Sequence, residues 1–348
     1  MIRNALFSLL LLTVCSCSAQ QTPVSVIHLS GKVVLLLDSA QAAQTIVQDP
    51  YDRFFELINP VEMSIQMKKP LSGQDDRLKM VADYQAFLRT DVEGFSAAES
   101  QFVEKIMRDI YTNCETVSPA ICPDTLVLIK TKGQHYGDGV YYTRANCIVI
   151  PADALRARNR TAFSSTMYHE LFHVYSRLNP EKRTALYRLI GFESIGLSSL
   201  HLPEPLASRV LYNPDGVDYA QKITLKMEDG RTIYAVPVIY ANHQGFTDKQ
   251  PSFFSYLQFS LFPIEAQEDG HWKLVTKADG LSSTLNVSNL PDFYRQIKDN
   301  TGYIIHPDEV LADNFAFLMQ SKSNPVVTSR FSPGGKQLLV DMEKIIRQ

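Results

Sequence analysis

The stretch from Arg160 to Leu178 contains neither proline nor glycine, carries apolar residues at Tyr168, Leu171, Phe172, Tyr175 and Leu178, and runs into Asn179-Pro180. It reads as one helix with a firm stop, because proline lacks the next main-chain donor and restricts the residue before it. At its centre stands His169-Glu170-Leu171-Phe172-His173, the spacing HExxH. Residues four apart on a helix differ by about 40° of rotation, so both imidazoles leave from one side and can share a cation. Glu170 points about 100° from His169, beside that cation, where it can take a proton from a water. Asn159 or Thr161 is positioned to cap the start of this helix.

Two imidazoles on one helical turn suit Zn²⁺, which lowers the pKa of a bound water towards about 7. A catalytic zinc takes three protein ligands and keeps one position open. Two carboxylates compete for the third place. Glu193 follows the helix closely, whereas Glu309 opens Glu309-Val310-Leu311-Ala312-Asp313 far downstream. The second segment is preceded by Pro307 and continues apolar through Phe315 and Leu318, so it reads as a helix from Asp308 to Gln320 with Glu309 and Asp313 on one face. A ligating imidazole needs an acceptor for its free ring nitrogen, and Asp313 can supply it. Glu193 has Leu197 at the matching position. Glu309 is therefore the favoured third ligand and Glu193 the alternative. Tyr303 and His306, just before this helix, are candidates for donating to an oxyanion, although His306 before Pro307 also suits a helix cap.

The combination resembles the gluzincin clan of zinc metallopeptidases, in which HExxH on one helix is completed by a glutamate on a later one. The resemblance implies an α+β fold with a zincin-like core, His169, His173 and Glu309 as Zn²⁺ ligands, Glu170 as general base and Asp313 behind a ligand. It also implies a peptide or protein substrate lying along a strand upstream of the motif, for which residues 142–150 are placed. The rival reading is a catalytically inactive, zincin-like binding or scaffold protein of the cell envelope.

The beginning of the chain reads as an address. Arg3, the apolar residues 5–14 (ALFSLLLLTV) and the small residues Ser16, Ser18 and Ala19 have the layout of a secretory signal, too short for a transmembrane helix. Residues 14–17 loosely match a bacterial lipobox, making Cys17 the candidate for lipidation and a lipid anchor the expected membrane link. The protein is thus expected to be exported: periplasmic, secreted or tethered at the envelope. In an oxidising compartment Cys114 and Cys122 can close a small disulfide loop, while Cys147 sits in an apolar run and reads as core.

Of 348 residues, 45% are hydrophobic and 20% charged, with 34 Lys and Arg against 37 Asp and Glu. Extensive disorder is excluded, and without a basic cluster so is a nucleic-acid surface. The expected organisation is a mainly helical region over residues 20–135, followed by a metallohydrolase region over 136–348. The former holds two helices between Asp75 and Tyr111. Strands are expected at residues 125–131 and, as one piece, at 139–150. Asp229-Gly230 between two strand-like runs marks a hairpin inside a β-rich insertion at about 210–285, whose aromatic cluster (Phe253, Phe254, Tyr256, Phe259 and Phe262) suits a buried core better than a groove.

Overall fold

The alternation of apolar side chains along the central strands dictates a sheet covered on both faces. In the computed structural model, which describes residues 25–72 and 76–348, helices and strands are mixed along the chain. The first sheet is built from β1 (Ser25–Leu29), β2 (Lys32–Leu36), β3 (Val92–Glu93), β4 (Thr125–Thr131), β5 (Tyr142–Arg144) and β6 (Cys147–Pro151). Their order is β1-β2-β4-β6-β5, with β3 on the end of β4. β2, β4 and β6 run parallel, while β1 and β5 are antiparallel strands at the two edges. Leu126, Leu128, Ile148 and Ile150 face one layer, packing with Leu171 and Val174 of the Arg160–Leu178 helix and Val310 and Phe315 of the Pro307–Ser321 helix. Val127, Ile129 and Val149 point the other way, onto Ile65, Tyr84 and Leu88 of the N-terminal helices.

The second sheet comprises β7 (Phe192–Ser194), β8 (Leu200–His201), β9 (Gln221–Lys226), β10 (Thr232–Ala241), β11 (Leu257–Ala266) and β12 (Trp272–Leu274). Its order is β7-β9-β10-β11-β12-β8, so the β-rich part starts earlier than residue 210. The turn at Asp229-Gly230 joins β9 to β10, with Gly230 at φ +85°, a conformation glycine adopts without steric cost. Phe253, Tyr256 and Phe262 are buried as expected of a core, but Phe254 is exposed.

Three expectations change. Residues 139–150 form a hairpin rather than one strand: Ala145 turns at φ +53° and Arg144 pairs with Cys147, folding β5 back on β6. The region 20–135 is not separate from the remainder of the chain, because β2 and β4 share a sheet with β6. Cys114 and Cys122 are free thiols rather than a disulfide; both are buried, with the short 3₁₀ turn Pro119–Ile121 between them. The expected leader and Cys17 lie outside the described residues. Among the described residues no helix is long and apolar enough to cross a membrane.

The N-terminal helices reach across to the segment that precedes Asn213. Asn59 caps the helix Pro60–Met67 by accepting from the Glu62 N–H, and its amide donates to the Val210 carbonyl. The Glu62 carboxyl accepts from the Tyr212 N–H and from Gln66 Nε2, each at 2.9 Å. Burial pushes this carboxyl from 4.5 up to about 8. The folded state therefore holds a proton that the unfolded chain releases, and the stability this contributes is full below about pH 4.5 and lost as pH rises through about 8. Replacing Glu62 by Gln removes the titration, so Tm of the variant should gain on the parent steadily between about pH 5 and 8. A Tm difference that stays constant over that range contradicts this assignment.

Candidate metal centre

Two helices that would otherwise be an ordinary packed pair carry the polar residues on their facing sides. The first, Arg160–Leu178, is capped by Asn159, whose side chain accepts from the Ala162 N–H at 3.1 Å. The second, Pro307–Ser321, begins at Pro307 and is capped by His306, whose Nδ1 accepts from the Asp308 N–H at 3.1 Å. Across the seam, His169 Nδ1 donates to Asp313 Oδ1 at 2.8 Å and its Nε2 stands 3.1 Å from Glu309 Oε2. His173 Nδ1 donates to Asp308 Oδ2 at 2.7 Å, and its Nε2 lies 3.4 Å from the same Glu309 oxygen. Asn213 Nδ2 donates to the other oxygen of Glu309.

His169, His173 and Glu309 thus form a cluster that could hold a metal ion. Both Nδ1 atoms are tied to carboxylates, leaving both Nε2 atoms to converge on one oxygen. Four donors around a tetrahedral ion at about 2.05 Å lie about 3.3 Å from each other, which is the spacing seen here. His173 Nε2 is also buried with no hydrogen-bond partner, a cost that a cation in this position would relieve.

The charges around the cluster are set for a cation. Burial opposes charge on His169, but hydrogen bonds to Asp313 and Glu309 carry its pKa up to about 10. Burial likewise opposes the His173 cation, which Glu309, Asp215 and Asp308 outweigh, raising it. Burial works against the Glu309 carboxylate, yet the two imidazoles hold it well below its ordinary range. A metal therefore has to displace protons from both rings, so its binding weakens in acid. Glu170 is different. It is 4% exposed, its Oε2 has no hydrogen-bond partner, and burial followed by the nearby Asp215 pushes its carboxyl up to about 8.

These groups open onto a cleft of about 390 Å³, lined by His169, Glu170, Asp215, Tyr303, Glu309 and Asp313 among others. Tyr303, 41% exposed, stacks near His169 with ring centres 6.1 Å apart. The charge of Glu309, then burial, pushes its hydroxyl up, so it stays a proton donor at neutral pH.

Two sequence candidates fall outside. His306 points away from the cleft, its Nε2 donating to the Asp218 carbonyl at 3.0 Å while Nδ1 caps the helix, so the cap reading holds and the oxyanion reading does not. Glu193 sits on β7 with its side chain 59% exposed and pairs with Lys222 at 2.7 Å, remote from the imidazoles.

Four residues at the site escaped sequence reasoning. Asp308 accepts from His173, from Ser176 Oγ at 2.6 Å and from the Tyr187 hydroxyl at 2.9 Å. Asking where the second imidazole finds its acceptor would have pointed to this neighbour of Glu309. Asn213 and Asp215 belong to Asn213-Pro214-Asp215-Gly216, which reads only as a turn. Arg177, one turn beyond His173, donates to the carbonyls of Pro214 and Asp215 at 3.1 and 3.3 Å and to Thr143 Oγ1 at 3.0 Å, and pairs with Asp52. It straps this turn to the helix that carries the histidines. Glycine is required at 216, where a Cβ would lie 2.8 Å from the His306 ring.

No protein-family model, curated protein or solved structure matches the chain.

Acceptors behind metal histidines commonly govern affinity by about 10- to 100-fold. Replacing Asp308 by Asn should weaken binding of an added divalent metal ion by that factor in a chelator-competition titration, with helical circular dichroism preserved. Affinity equal to the parent's would show that Asp308 only packs the helices together.

Proposed function

We propose that this protein is a zinc-dependent metallopeptidase with a zincin-like core, working outside the cytoplasm. The observation that carries the reading is the convergence of two Nε2 atoms and one Glu309 oxygen, each ring fixed from behind by its own carboxylate, next to the unpartnered Glu170 carboxyl. A donor set of two imidazoles and a carboxylate suits zinc, which when bound acidifies a water and polarises a carbonyl.

The chain's own residues would share the remaining work. Glu170, buried beside the cluster with an unpartnered carboxyl oxygen, is placed to accept a proton from the attacking water and pass it to the leaving amine. Tyr303 faces the cleft with its proton retained and can donate to the oxyanion that develops on the scissile carbonyl. Asp313, Asp308 and Asn213 hold the ligands in register. No nucleophilic side chain is needed, and no covalent acyl-enzyme forms.

Chelation should abolish hydrolysis of a mixed peptide library and Zn²⁺ should restore it. Glu170→Gln should keep stoichiometric zinc while turnover falls about 10²- to 10⁴-fold. His169→Ala should lose both. Undiminished turnover in the Gln variant removes this mechanism. Stoichiometric zinc in the parent with no cleavage of any peptide would favour the inactive scaffold.

A further inference from the structure

Glu309 differs from the two imidazoles in having two oxygens to offer. A carboxylate with both oxygens free can hold a cation bidentately, the mode that oxygen-preferring ions exploit, whereas one whose second oxygen is engaged gives a single donor atom. The two oxygens of Glu309 are treated differently. Oε2 is the one both rings approach, 3.1 Å from His169 Nε2 and 3.4 Å from His173 Nε2. Oε1 accepts from the Asn213 side-chain amide.

The direction of that amide is fixed by its other end. Asn213 Oδ1 accepts from the Asp215 N–H at 3.1 Å, so the NH₂ group has to face Glu309. The turn that carries Asn213 is closed by the Gly216 N–H, which donates to the Asn213 carbonyl at 3.2 Å. Arg177, on the helix of the histidines, donates to the carbonyls of Pro214 and Asp215, and Thr143 donates to the Asp215 carboxylate. A donor is therefore held against Oε1 from elements other than the one that bears Glu309. Being neutral, the amide engages that oxygen without cancelling the charge a cation needs. A lysine or arginine in its place would do both.

We infer that Asn213 is a positioning residue that reserves Oε1, so that Glu309 offers one oxygen to an ion and the cluster offers three donors rather than four. This sets the preference among ions. Zinc is at home with few nitrogen and oxygen donors in a tetrahedral arrangement, while manganese favours octahedral oxygen-rich sites. The inference rests on the zinc reading above and not on hydrolysis.

The test uses the full chain, stripped of metal and loaded in turn with Zn²⁺, Co²⁺ or Mn²⁺. Chelator competition gives the ratio of Zn²⁺ to Mn²⁺ affinity, and the visible absorption of the Co²⁺ form reports coordination number, being strong for tetrahedral and weak for octahedral sites. Asn213→Ala removes the whole amide. Asn213→Ser keeps an oxygen that can accept from the Asp215 N–H but is too short to reach Glu309. In both variants the affinity ratio should fall about tenfold or more, and the Co²⁺ absorption about twofold or more. If all three ions are weakened by the same factor with the spectrum unchanged, Asn213 only supports the turn and the inference is overturned. Parent-like values in both variants overturn it too, as does a parent whose Co²⁺ absorption is already weak. A parent that binds neither Zn²⁺ nor Co²⁺ removes the metal reading and this inference together. The expected metal behaviour without cleavage of any peptide upholds the role of Asn213 and overturns only the peptidase reading.

Discussion

Two imidazoles at the seam between the Arg160–Leu178 and Pro307–Ser321 helices are enclosed by Asp308, Glu309 and Asp313, with Glu170 and Asp215 close by. Ionised together in a region of low dielectric, these acids cost more than solvent screening can offset, unless a cation stands among them. The pattern of shifts reflects this: the histidines are pushed up, Glu309 is pushed down, and Glu170 and Asp215 are pushed up by burial, to which neighbouring carboxylates add. The packing of the two helices and the chemistry of the site are thus one constraint. Apolar residues such as Leu171, Phe172, Val310 and Phe315 bring the helices together, and the polar residues on the same faces fix which turn meets which.

The rest of the molecule serves largely to hold the turn at residues 213–216 against that seam. Arg177 binds its carbonyls from the histidine helix, and Thr143 on the edge strand β5 binds Asp215. From the far side, Asn59 and Glu62 of the N-terminal helices bind the segment at Val210 and Tyr212. Buried charged or amide groups of this kind are costly unless every partner is present, so they favour one arrangement of the turn over its alternatives. The N-terminal third therefore has a defined mechanical relation to the site despite carrying none of its cluster residues.

Much of the local structure was legible in the sequence because it rests on local rules. The helix Arg160–Leu178 was bounded correctly, since Asn159 and Asn179-Pro180 act on their immediate neighbours. The Pro307 start and the face shared by Glu309 and Asp313 follow from helical geometry alone. The hairpin at Ala145 was missed because a non-glycine residue at positive φ leaves no compositional mark. Asp308 was missed for a different reason. It lies beside Glu309 in sequence, but only the approach of His173 from another helix makes it an acceptor.

By itself, then, the amino-acid order determined which side chains leave one helix face together: His169 with His173, and Glu309 with Asp313. Periodicity of 3.6 residues is a property of the backbone, so it can be read without knowing the partner. Only the tertiary structure decided between Glu309 and Glu193, turned His306 into a cap, and brought Asp215 and Asn213 to the cleft. Those outcomes depend on which surfaces pack across long stretches of chain, and packing selects among carboxylates that look alike in sequence.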